Sequence, residues 1–179
     1  MRNLLFIGGI HGVGKTTFCN EIVASYKVTT YSASKIISSL KKQNLPLNKL
    51  IPDIDINQAL LIEGLKQISP TEELIILDGH FCLIDDKRAI SKISETVFKE
   101  IQPSAFIVIT DTVENIASRL KTRDHINYDC SFLELFQNEE LAHAKNLASE
   151  MQIPICIYDQ TPESKHQFHA FITKLGVIR

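Results

Sequence analysis

Residues Gly9-Ile10-His11-Gly12-Val13-Gly14-Lys15-Thr16 have the types and spacing needed to hold a polyphosphate. They satisfy G-x-x-x-x-G-K-[ST] at every fixed position. Such a site needs several backbone N–H groups turned inward, and Gly12 and Gly14 allow that tight backbone. A helix opening at Lys15 adds its unpaired amides and the positive end of its dipole. Lys15 then brings a positive charge to the β- and γ-phosphates, and the Thr16 hydroxyl is the expected Mg²⁺ ligand. Thr17 follows within reach of the α-phosphate. His11 holds a variable loop position, open either to phosphate contact or to a plain structural role.

A phosphate-binding loop needs a metal partner, usually an aspartate ending another buried strand. Asp78 follows the four apolar residues Leu74 to Leu77 and is the predicted partner, holding Mg²⁺ through water. Gly79 and His80 come next, where many motor-type and AAA+ ATPases carry a glutamate that activates water. A site without that glutamate is suited to positioning a phosphate acceptor rather than to rapid hydrolysis. His80 can orient an acceptor or a water, or sit as a satisfied side chain at the sheet end.

The chain has five arginines, and Arg2 and Arg179 lie at its termini. Arg119 and Arg123 are four apart, at the end of a predicted helix and the start of a polar loop. On a helix that spacing puts both guanidiniums on one face, where they can clamp polyphosphate and neutralise charge during transfer. Arg88, in Asp85-Asp86-Lys87-Arg88, reads either as an acceptor-phosphate ligand or as part of a solvated loop. His166 and His169 lack a third metal ligand and read as surface residues.

These residues need a scaffold, and short apolar runs alternate with amphipathic ones along the whole chain. Strands are predicted at Asn3–Ile7, Val28–Tyr31, Leu74–Asp78, Ala105–Ile109 and Pro154–Tyr158. Helices are predicted at Lys15–Ala24, Ser34–Leu40, Asp55–Ile68, Ile90–Ile101, Thr112–Leu120, Ser131–Met151 and Pro162–Leu175, with Asn44-Leu45-Pro46 beyond the second. The alternation implies parallel βαβ units, hence an α/β fold with helices on both faces of the sheet.

A length of 179 residues fits one domain and leaves no room for a full AAA+ module with its helical lid domain. Nineteen Lys and Arg against 21 Asp and Glu give no basic excess, so dedicated nucleic-acid binding is disfavoured. No apolar run approaches the roughly 20 residues of a membrane span. Cys19, Cys82, Cys130 and Cys156 are widely spaced and read as free thiols in a reducing, cytoplasmic setting. The absence of an Asn-Lys-x-Asp guanine-reading motif points away from a GTPase.

Gly9 to Thr17, Leu77-Asp78-Gly79-His80 and Arg119-Leu120-Lys121-Thr122-Arg123 together resemble the P-loop kinases, within them the adenylate kinase-like nucleoside monophosphate kinases. The pattern is most similar to archaeal adenylate kinases and the nuclear adenylate kinase-like ATPases. Asp53-Ile54-Asp55 resembles their acceptor-side region. The resemblance covers nearly the whole chain. It implies a three-layer P-loop NTPase fold over 1–179 with a five-stranded parallel sheet of order 2-3-1-4-5. It also implies a mobile acceptor-binding region at about 32–69 and a short lid at about 123–131. In that family the arginine matching Arg119 lies near the donor base and the one matching Arg123 reaches the phosphates.

One departure stands out: the helix after the second strand carries Lys35, with Lys41 and Lys42 beyond, where monophosphate kinases carry an arginine. Ser32, Ser34, Asn57 and Gln58 add hydrogen-bonding groups that fit an uncharged acceptor equally well. The expected function is transfer of the γ-phosphate of Mg·ATP to a nucleotide or nucleoside-like small molecule. The expected nucleotide site is Gly9, His11, Gly12, Val13, Gly14, Lys15, Thr16, Thr17 and Arg119, and the catalytic set is Lys15, Asp78, Arg119 and Arg123. Two alternatives stand beside it: a switch or slow ATPase acting through a protein partner, and a kinase of another small metabolite.

Overall fold

Five short apolar strands lie side by side, all parallel, because each is followed by a helix that carries the chain back across a face of the sheet. The computed structural model describes residues 4–42, 53–68, 74–85, 87–125 and 127–176. β1 (Leu4–Gly8) is central, between β3 (Leu74–Asp78) and β6 (Ala105–Ile109). β2 (Val28–Ser32) and β7 (Ile155–Tyr158) form the edges. Counting only these five strands, the order is the expected 2-3-1-4-5. The register sets Ile7 opposite both Asp78 and Ile107, so β1 and β3 end side by side. The chain crosses over between them, which makes their carboxyl ends the crevice where α/β proteins bind ligands.

All five residues of β1 are buried, and they serve two cores. Leu5 and Ile7 meet Phe18 and Ile22 of α1 (Lys15–Ser25) and Phe168 and Ile172 of α7 (Pro162–Lys174). Leu4 and Phe6 point the other way, to Leu61 and Leu65 of α3 (Asp53–Gln67) and Val97 and Phe98 of α4 (Glu95–Ile101). In this second core Phe6, Phe81, Phe98 and Phe106 pack at ring separations of 4.9 to 6.0 Å. Five of these six pairs meet edge to face and Phe81 stacks on Phe98, and such contacts add about 0.5–1.5 kcal/mol per pair beyond simple burial. Helix α6 (Cys130–Met151) gives Leu133 and Phe136 to the first core and Ala144 and Leu147 to the second. Glu140 lies between those two sets.

The helix expected over Ile90–Ile101 is a correction. Ile90–Lys92 is a strand, β5, paired antiparallel with β4 (Cys82–Ile84), and only Glu95–Ile101 is helical. The Asp85 carboxylate accepts from Lys87 N and Ala89 N, which closes the hairpin turn locally. Ser94 then caps the helix by accepting from Thr96 N. The spacing of Ile93, Val97 and Ile101 suggested one helical face, but Ile93 lies before the cap. The other expected elements occur with ends moved by a few residues. Asn3, Asn44-Leu45-Pro46 and the two terminal arginines lie outside the described residues, as does Asp86.

All four cysteines are unpaired, three of them buried and Cys130 exposed at the start of α6. Burial pushes the thiols of Cys19 and Cys82 up to about 12 and that of Cys156 to about 11. Thiolate is the reactive form, so these three are protected twice over. Mass spectrometry after brief native alkylation should find the label on Cys130 alone. Equal labelling of Cys82 would contradict the burial described. Among the described residues no helix is long and apolar enough to cross a membrane.

Candidate active site

The loop after β1 turns at three glycines with positive φ, Gly9, Gly12 and Gly14. At Gly9 (φ 143°) a side chain would meet the carbonyl oxygen of Ile109 at 2.6 Å, so only glycine lets the loop leave this close to β6. Gly14 caps α1 with φ 108°, a conformation that turns the chain directly into the helix. Lys15, the first helical residue, folds back and donates to the carbonyl oxygens of Gly9 and Ile10. Burial pulls its ammonium below the ordinary lysine range, while Asp78 and Glu140 oppose that pull.

Asp78 ends β3 beside this loop. Burial raises its carboxyl above the usual range against the opposing charges of Lys15 and Lys35, and its Oδ1 is buried with no hydrogen-bond partner. A buried oxygen left without a partner is costly unless something else approaches it. The Asp78 carboxylate and the Thr16 hydroxyl line the same cavity, an all-oxygen donor pair suited to Mg²⁺. His80 has its Nε2 3.5 Å from Lys15 Nζ, and its ring centroid lies 4.4 Å from that of His11.

The two arginines expected to act together both line this cavity, and both lie in α5 (Val113–Asp124), with Arg123 in its last turn. Arg119 donates to the outward carbonyls of Gly12 (3.1 Å) and Val13 (3.2 Å) and pairs with Asp111. It therefore braces the loop from outside. Arg123 is bidentate to its neighbour Asp124, whose carboxylate also accepts from Tyr128. That arginine hydrogen bond, the largest influence, holds the Asp124 carboxyl down at about 2.

Gly9 and Val13 belong to the loop but do not line the cavity, and Thr17 is exposed in the first turn of α1, outside the lining. Arg88 sits in the β4–β5 turn with φ 62°, exposed and away from the cavity, which fits its reading as a solvated loop residue. The expected lid, 123–131, resolves into the end of α5, the start of α6 and the short connection between them, in which residue 126 is not described. The expected acceptor region holds α2 (Ala33–Lys42) and α3, while 43–52 lies outside the described residues.

Three residues at the site were not anticipated. Glu140 is almost wholly buried, and its carboxylate accepts from Gly9 N (2.9 Å), Phe81 N (2.9 Å) and Cys82 N (2.5 Å). Burial pushes its pKa up and these N–H groups oppose that. One side chain thus fastens the start of the phosphate loop to the segment that follows Asp78. Its sequence signal was a lone carboxylate inside the apolar stripe Leu133, Phe136, Ala144, Leu147. Gln160, after β7, donates to Val13 O and to Asp111. Asp111 holds Arg119, and it lies two residues past the buried strand β6, whereas Asp78 ends β3.

A lysine folded under a glycine-rich turn, beside an aspartate ending the neighbouring strand, is the arrangement of a P-loop NTPase. A family model described as AAA domain matches residues 8–131. The chain belongs to this AAA domain family. A search of curated proteins finds no match. As an AAA domain protein it has the nucleotide-binding core of kinases and ATPases. The matched span holds the loop, Asp78 and both arginines of α5, whereas Glu140 and Gln160 lie beyond it. In this AAA domain chain β3 ends at Asp78 and is followed by Gly79 and His80, without the glutamate that activates water in many AAA+ ATPases.

Proposed function

We propose that the protein is a small P-loop phosphotransferase, similar to adenylate kinases, that moves the γ-phosphate of Mg·ATP to a nucleotide or nucleoside-like small molecule. The observation that carries this reading is a cavity of about 790 Å³ that runs from the P-loop to α2 and α3 without interruption. Room beyond the P-loop, next to α2 and α3, fits a second substrate. Asp78 and His80 lie on its wall, together with residues of both halves.

In this reading Lys15 leaves the carbonyls of Gly9 and Ile10 for the β- and γ-phosphates. Arg123 exchanges Asp124 for the same charge, and Arg119 keeps the loop in shape while it flanks the donor. Thr16 and Asp78 would hold Mg²⁺, which when bound offsets charge on the β- and γ-phosphates. The chain's part is positioning and charge neutralisation for in-line transfer. Gly9, His11, Gly12, Val13, Gly14 and Thr17 complete the predicted nucleotide site, and of these His11, Gly12 and Gly14 line the cavity. Water exclusion falls to the connection between α5 and α6.

The test is Mg·ATP turnover with and without a panel of small acceptors. A phosphorylated acceptor, with little phosphate release in its absence, is the expected result. Phosphate release that no acceptor changes, with ATP-dependent capture of a protein, would favour the switch or slow ATPase. The lack of an acceptor-side arginine motivates that second reading. Phosphorylation of a metabolite unrelated to nucleosides would favour the third.

A further inference from the structure

The two halves of the cavity differ sharply in charge. The donor half has half-buried Lys15 with Arg119 and Arg123, whereas the cations that line the other half among the described residues are Lys35 and Lys41, both exposed on α2. Among the described residues no arginine lines this half. Arg88 is in the hairpin turn, and the segments 43–52 and 69–73 contain none. Exposed ammonium groups are heavily screened and cannot make the bidentate fork that holds a phosphate firmly.

What the acceptor half offers instead is an apolar floor with a few neutral polar groups. Phe6, Ile37, Leu61, Val97, Phe98 and Ile101 line it. Asn57 and Gln58, adjacent on α3, add two side-chain amides, and the Asn57 amide oxygen is buried without a hydrogen-bond partner. An unmet amide beside an apolar floor suits the edge of a flat heteroaromatic ring. The hydroxyls of Ser34 and Ser38 line the same half.

We infer that the acceptor is an uncharged nucleoside-like alcohol, its ring on the apolar floor against Asn57, and that a nucleoside monophosphate is not the acceptor. This rests on the phosphotransferase reading. The hydroxyl oxygen of the acceptor bonds to the γ-phosphorus while the bond from that phosphorus to the β–γ bridging oxygen breaks. Its electron pair leaves with ADP, and the hydroxyl proton passes through the transferred phosphoryl oxygens to solvent.

The experiment measures transfer from Mg·ATP to the four common ribonucleosides and to their 5′-monophosphates, after binding of a non-hydrolysable ATP analogue has been checked. The expected result is a kcat/KM at least tenfold higher for one or more nucleosides than for the matching monophosphate. Asn57→Leu should then raise the nucleoside KM at least tenfold and leave the KM for ATP within twofold. Monophosphates as the better acceptors, with a KM that rises tenfold in the Lys35→Ala/Lys41→Ala variant, would overturn the inference. So would a protein that binds the analogue yet phosphorylates neither class. Failure to bind the analogue would instead sink the phosphotransferase reading itself.

Discussion

Glu140→Ala is expected to destabilise the fold by about 3–5 kcal/mol, since it leaves three buried N–H groups without an acceptor. Each orphaned donor costs about 1–3 kcal/mol, and water entering the space recovers part of that. The lost groups sit where the P-loop strand and the Asp78 strand end together, so no loop can shift to supply an oxygen without breaking the sheet. Urea unfolding should show the midpoint falling by about 2 M, given a slope of roughly 2 kcal/mol/M for a chain of this size. Glu140→Gln should fall between the two, because an amide offers one acceptor oxygen and sets its own N–H₂ against a donor. A loss below about 1 kcal/mol in the alanine variant would mean that the carboxylate does not carry these contacts in solution.

Lys15→Ala is expected to separate function from stability. Lys15 is half-buried and desolvation pulls its pKa down, so the fold bears a cost for holding this charge when no phosphate is present. Its partners in the structure are two loop carbonyls and the nearby charges of Asp78 and Glu140. Nucleotide affinity should drop by about 10²–10³, as expected from losing charge-assisted hydrogen bonds worth about 3–4 kcal/mol. Thermal unfolding without nucleotide should change little, while the upward shift that Mg·ATP gives the wild type should vanish. An unaltered ATP-induced shift in the variant would place the nucleotide elsewhere on the protein.

The sheet was legible because its strands are short, apolar and flanked by glycine or a helix cap. Leu4 to Ile7, Leu74 to Leu77 and Ala105 to Ile109 are buried on both faces, and such runs have few other uses. The P-loop was legible for a different reason: backbone geometry and phosphate chemistry together constrain Gly9, Gly14 and Lys15. The hairpin at Cys82–Lys92 was not, because Ile90 and Ile93 sit at a spacing that a helix also uses, and Asp85 decides the turn by local hydrogen bonds. Glu140 was hidden by its distance from the site in sequence. Its neighbours on α6 are apolar, and nothing near it in the chain says which amides it meets.

That distance has a consequence for synthesis. Glu140 bonds to Gly9 across 131 positions and to Cys82 across 58. The P-loop motif is complete at residue 16, yet its first amide meets its carboxylate partner only when residue 140 has been made and α6 has docked. A ribosome-bound chain stopped before α6 has the phosphate-binding motif without the clasp that fixes it. The clasp on the start of the P-loop is therefore completed late in translation, after most of the sheet has been made.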